Sequence, residues 1–169
     1  MTGVYRVTDD WTLGLGAGAS FGGDMMIEGM RYTLSPGPVV ALSAGYRVLA
    51  PDGWIPFVLV NVTGSLSSVA TEGVTMLGDV EQARMTAIDA RGSLTIGEVF
   101  ADVVAPYATV RGFGGPVFWE RNALEVRGSD ENHYQLGAGL LITAGVFDAY
   151  AEVIPMGERA LTAGAAVKF

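Results

Sequence analysis

Cysteine is absent from the 169 residues, which excludes a disulfide scaffold and thiolate zinc sites. Charge is scarce: Asp, Glu, Lys and Arg make up 17% of the chain, against about 25% in ordinary soluble domains. The balance is acidic, 18 carboxylates to 10 lysines and arginines, so the basic clusters that neutralise nucleic-acid phosphates are missing. Long apolar runs are missing too. A spanning helix needs ~20 consecutive apolar residues. The nearest stretch, GWIPFVLVNVTGSLSSVAT from Gly53 to Thr71, is interrupted by Pro56 and Gly64 and carries Asn61, Thr63, Ser65, Ser67 and Ser68. The opening MTGVYRVTDDWTLGLG lacks the basic start and apolar centre of a secretory signal, so the expectation is a cytoplasmic protein or a mature segment. What is abundant is apolar surface and glycine. Half of the residues are hydrophobic and 24 are glycine, which excludes a disordered chain and suits one domain, residues 1–169.

The apolar residues recur at every second position, the period of a β-strand. From Trp11 to Phe21 the odd positions are Trp, Leu, Leu, Ala, Ala and Phe, whereas the even ones are Thr, Ser or Gly. The same alternation returns in Pro38–Leu49, Trp54–Leu66, Thr86–Ile96, Tyr134–Ile142, Phe147–Pro155 and Leu161–Phe169. In Phe100–Arg111 the phase is disturbed by Asp102 and Pro106, as a bulge would do. These eight segments are close to the ~9–11 residues with which a tilted strand crosses a bilayer. Connections 50–53, 97–99 and 143–146 are short, whereas 22–37, 67–83 and 112–132 are long; 155–158 is the short exception on the long side.

One face of every segment is apolar and the other is small, which is the wrong way round for a soluble sandwich. The small face is Gly, Ser, Thr and Ala with isolated charges of both signs. It suits the inside of a narrow barrel, which eight strands leave just wide enough for side chains to fill. Buried charges need partners, and Arg47, Asp89, Arg91 and Arg111 are expected to join Gln135, Glu152 and Lys168 in one interior network. The apolar face then meets lipid, and closure satisfies the backbone without an edge. Aromatics support this assignment. Trp11, Trp54, Phe100 and Phe147 open strands at one surface, where Tyr46 and Phe169 close two others, as in an interfacial girdle. Phe21, Tyr134 and the group Phe113, Phe118 and Trp119 fall at the opposite surface. The expected fold is all-β: an eight-stranded antiparallel up-and-down transmembrane β-barrel.

The C-terminal LTAGAAVKF, apolar at every second position and ending in Phe169, resembles the last strand of bacterial outer-membrane β-barrels. With the preceding FDAYAEVIPMGERA it is similar to the final hairpin of small barrels of the OmpA/OmpX/opacity-protein type. That resemblance implies outer-membrane location, periplasmic N- and C-termini, a monomer, and recognition of Phe169 by the barrel-assembly machinery. GVYRVTDDW resembles a strand end followed by a periplasmic turn, which leaves open a preceding strand and a larger barrel.

Chemistry is sparse. His133 stands beside Asp130 and Glu131, but Gln135 occupies the position two residues on where lipid A deacylases of this architecture carry serine, and Ser129 lies in a loop. A polar residue at the lumen mouth is the simpler reading. Gly14, Gly16 and Gly18 do not match G-x-G-x-x-G and precede no helix, so they are lumen residues. Asn61-Val62-Thr63 matches a glycosylation acceptor in mid-strand, by chance. Acids such as Asp24, Glu28, Glu72, Asp79, Glu81, Glu120 and Glu125 read as solvated loop charge, with cation bridging to lipopolysaccharide as a second reading. No cofactor, catalytic or metal site is expected, and the partners are membrane lipid, lipopolysaccharide and a protein at the long loops. A lipid-modifying enzyme, a small gated channel and a soluble ligand-binding barrel are the alternatives.

Overall fold

The computed structural model describes residues 1–27, 30–74, 80–121, 124–129, 132–157 and 159–168. Among them there is no helix, and so none long and apolar enough to cross a membrane. Thirteen antiparallel strands form one sheet that curls into a half-barrel. They are β1 (Thr2–Arg6), β2 (Trp11–Ser20), β3 (Asp24–Ile27), β4 (Met30–Leu34), β5 (Gly37–Leu49), β6 (Phe57–Val74), β7 (Val80–Gly97), β8 (Val104–Gly114), β9 (Pro116–Arg121), β10 (Leu124–Ser129), β11 (Tyr134–Ala144), β12 (Phe147–Met156) and β13 (Ala160–Val167).

Nine of these follow one another as a wall, in the order β1-β2-β5-β6-β7-β8-β11-β12-β13. Eight of the nine are the segments that period two picks out. The strand count of eight is nevertheless corrected to thirteen, for two reasons. Residues 2–6 add a strand, β1, on the outer edge of β2. The other four strands lie in stretches expected as loops. β3 and β4 form a hairpin that joins β6 through Tyr32, Thr33 and Leu34. Likewise β9 and β10 form a hairpin that joins β7 from Arg84 to Ala87. The polar connection expected from Ser67 is instead the continuation of β6 and β7, which run for 18 residues each and stay paired from Phe57–Gly97 to Val74–Val80. Short strands of mixed polarity escape a period-two search because neither face is uniformly apolar.

The disturbance in the fifth segment also has a different origin. Ala101 and Asp102 both adopt positive φ (50° and 57°), and Phe100 bridges Val104. The chain reverses tightly there, and the strand starts at Val104 rather than Phe100. Pro106 sits in the strand interior opposite Leu140.

Register keeps each face continuous across strands. Trp11, Tyr46, Val60, Leu94, Val110 and Leu136 are successive cross-strand partners from β2 to β11. All six are 38–48% exposed, on the convex face. A one-residue slip anywhere would throw this row onto the concave side. The side chains between them, among them Thr12, Asn61, Thr95, Thr109 and Gln135, face the concave side and are less exposed.

Candidate functional site

Three surfaces stand out in the fold: the convex belt, the concave lining, and the raised sheet beyond the wall.

On the convex face the apolar belt has definite ends. Along β6 it runs from Val58 to Leu66 and then gives way to Ser68, Ala70 and Glu72; along β7 it runs from Ile96 to Ile88 and gives way to Thr86, Arg84 and Gln82. Trp11 and Tyr46 pair across strands at the short-turn end, with ring centroids 4.8 Å apart. Phe147 opens β12 opposite Val167, and Trp54 and Phe100 stand exposed in the turns. Phe169 lies outside the described residues. At the other end Phe21 and Tyr134 are exposed, but Phe113 and Trp119 are buried on the concave side and do not stand with them at that surface.

On the concave face glycine has a specific use. Phe57 lies directly opposite Gly97, Tyr107 opposite Gly139, Tyr150 opposite Gly164, and Tyr32 opposite Gly73, and each ring occupies the space where the glycine's Cβ would be. The rings thereby lie flat on the sheet. Substituting Gly139 tests this: a Cβ would come within 2.5 Å of the Tyr107 ring and 2.7 Å of the Ala151 carbonyl oxygen. The ring can swing away but the carbonyl cannot. Gly139→Ala is expected to destabilise by about 1–3 kcal/mol, as overpacking does. Gly92→Ala, with open space around its Cβ, is the near-neutral control in the same urea titration.

The charges do not form one network. Arg111 on β8 reaches across β11 to Glu152 on β12, with Nη1 and Nη2 donating to Oε1 and Oε2 at 2.5 and 2.7 Å. Gly137 makes that span possible, since a Cβ there would crowd Oε1 at 3.1 Å. The Tyr107 ring, seated over Gly139, lies on the same face, and buried Gln135 sits opposite Arg111 in the register. The remaining predicted members are elsewhere. Arg91 pairs with its strand neighbour Asp89 at 3.7 Å and lies 4.9 Å over the Phe113 ring. Arg47 donates through Nε and Nη2 to Asp10 Oδ1, both at 3.1 Å, in the β1–β2 turn. Lys168 pairs with Asp148 at 2.8 Å, and Thr143 donates to the same oxygen at 2.7 Å. The wall thus has a central bidentate pair and three separate pairs, with a cleft of about 420 Å³ at the short-turn end between Arg47, Phe57, Asn61 and Thr95.

The raised sheet holds the most buried cluster. Tyr32 from β4 and Trp119 from β9 approach from opposite flanks of the β6–β7 ribbon and meet edge to face, centroids 4.8 Å apart. Trp119 Nε1 donates to Thr71 Oγ1 at 3.0 Å, and the Tyr32 hydroxyl donates to Glu81 Oε2 at 3.1 Å. Tyr32 and Thr71 are fully buried, and Glu81 is buried rather than solvated. The signal was present in the sequence: the inward odd phase of β6 continues through Val69, Thr71 and Gly73. At the edge, Arg31 donates to Asp24, and Thr33 donates to the other carboxylate oxygen at 3.2 Å.

The Arg31 hydrogen bond holds Asp24 below the usual carboxylate range. A depressed carboxylate stabilises the fold fully above the ordinary aspartate pKa and loses that contribution as pH falls through the lowered value. Amide exchange across residues 24–34 is therefore expected to accelerate below about pH 4. In Asp24→Asn that step should vanish; an unchanged step would place the titrating group elsewhere.

His133 accepts through its carbonyl from the Phe113 amide at 2.9 Å, and its ring lies near Gly114. Ser129 is opposite Pro116 on β10, and among the described residues no hydrogen bond joins it to His133. Asp130 and Glu131, like Glu28 and Asp79, lie outside the described residues. Among the described residues no group of three or more His, Asp or Glu could hold a metal ion. No family model, curated protein or solved structure matches this chain.

Proposed function

We propose that this chain is an integral protein of a bacterial outer membrane. Its wall becomes an eight-stranded transmembrane barrel, and its raised sheet is a rigid platform for surface interaction. The role is non-enzymatic. Both ends of the chain face the periplasm, and the last strand with Phe169 is what the assembly machinery engages. Lipopolysaccharide surrounds the belt, and a protein partner docks on the raised sheet.

The observation that carries this reading is the convex row from Trp11 to Leu136, half-exposed in six successive strands and continuous in register. In water such a surface would be an aggregation site; in lipid it is the required exterior. The polar residues that end the belt on β6 and β7 mark one boundary, and Trp11 with Tyr46 mark the other. The docking role draws on the buried Tyr32–Trp119 cluster. A segment already ordered binds without a further ordering cost, which is about 0.5–1.5 kcal/mol for each flexible side chain immobilised.

Single-tryptophan chains test insertion. With only Trp11 retained, emission should be quenched in bilayers whose acyl chains carry bromine near the interface. With only Trp119 retained, emission should be unaffected. An unquenched Trp11 in a chain that stays dissolved in plain buffer would overturn the membrane reading in favour of a soluble β protein.

A further inference from the structure

The wall has two ends, and they do not match. Nine alternating strands make β1 and β13 run in the same direction, so joining them would need a parallel seam. Without β1 the wall has eight strands, and β13 then runs antiparallel to β2. The edge of β2 that β13 would need is the one β1 occupies, from Thr12 to Gly16. The two strands compete for one seat.

β1 is the poorer fit to that seat. Its register spans Thr12–Gly16, and backbone bonds from Met1 to Ala17 and from Val7 to Trp11 carry the contact to seven of the ten residues of β2, leaving Gly18 to Ser20 uncovered. Its register puts Tyr5 and Gly3 on the convex side beside Leu13 and Leu15, and Val4 on the concave side opposite Gly14. Val4 is 69% exposed there, an apolar side chain on the polar face. β13 is eight residues long, with Leu161, Ala163, Ala165 and Val167 on the convex side and Thr162, Gly164 and Ala166 on the concave side. That is the alternation of β2 itself. β1 has the advantage of proximity, since only residues 7–10 separate it from β2, whereas β13 must close a loop of more than a hundred residues.

We propose that β1 is a temporary occupant of the β2 edge, and that β13 displaces it when the sheet enters lipid. In water the local hairpin covers an edge that would otherwise pair with another chain. In hydrocarbon two unpaired edges are intolerable, because each orphaned backbone group there costs several kcal/mol. Exchange removes both at once, leaving residues 1–6 outside the wall. The inference rests on the membrane reading above.

The cysteine-free sequence allows a direct competition. One chain carries Gly3→Cys, Leu15→Cys and Ala165→Cys, all on the convex side, so the thiol introduced on β2 can bond either neighbour. Two sister chains carry Ala163→Cys or Val167→Cys in place of the substitution at position 165, to scan the adjoining outward registers. After dilution from urea into buffer, oxidation should link positions 3 and 15. After insertion into vesicles of dilauroyl phosphatidylcholine, most molecules of one of the three chains should link position 15 to the β13 thiol instead. Persistence of the 3–15 link in inserted protein would overturn the exchange. So would a disulfide between two chains, which would make the occupant a second copy. Quenching of Trp11 in the same vesicles separates the two failures: a quenched chain without the new link refutes the exchange alone, whereas an unquenched chain refutes insertion.

Discussion

Glu152→Ala is expected to destabilise the wall by about 3–5 kcal/mol, the usual consequence of removing one partner from a buried pair. Glu152 is 4% exposed and accepts from both terminal nitrogens of Arg111. Deletion leaves the guanidinium without a carboxylate, with Gly137 and the neutral side chain of Gln135 as its neighbours on β11. Glu152→Gln keeps the shape and one acceptor oxygen, so its loss should be intermediate. The paired replacement Arg111→Met with Glu152→Leu removes both charges at similar volume and is expected to come back close to the parent. Urea unfolding of the parent, Arg111→Met, Glu152→Leu and the double variant in detergent micelles forms a cycle. If the double variant falls as far as the sum of the two single ones, the pair is not a coupled unit.

Trp119→Ala should cost about 3–5 kcal/mol, as large-to-small changes at buried aromatics do. The loss should be local. Trp119 touches Tyr32 and Thr71 in the raised sheet, and none of the wall pairs depends on it. Limited proteolysis is the readout: cleavage within residues 22–36 and 112–132 should increase many-fold while β11 to β13 stay protected. Trp119→Phe keeps the ring and loses only the hydrogen bond to Thr71, worth about 1 kcal/mol. Uniform cleavage of wall and platform together would show that they unfold as one unit.

How far the sequence carries can be judged from particular residues. The wall is readable because its convex and concave faces make opposite demands on adjacent residues, and β2 writes them out without exception from Trp11 to Ala19. The platform was not readable. Its strands have water on one side and a small core on the other, and residues such as Met25, Arg31 and Glu120 do not declare a face. The charges were identified by type and face, but their pairing depends on register. Arg111 finds Glu152 across an intervening strand, past Gly137, where a Cβ would crowd the carboxylate. Arg47 finds Asp10, a turn residue that no alternation argument would select. Gly73, Gly97, Gly139 and Gly164 are seats for particular rings, a role that cannot be read without knowing the cross-strand partner.

On the proposed membrane reading, the limits of the belt on β6 also set which bilayer would suit this protein. From Val58 to Leu66 is about 26 Å along the strand, and roughly 20 Å in height at a tilt of about 40°. A hydrocarbon core of ~30 Å exceeds that, and thinning it to match costs fractions of a kcal/mol per Å. Short-chain lipids should therefore accept the protein faster than long-chain ones, and thickness alone would sort it toward a thin membrane.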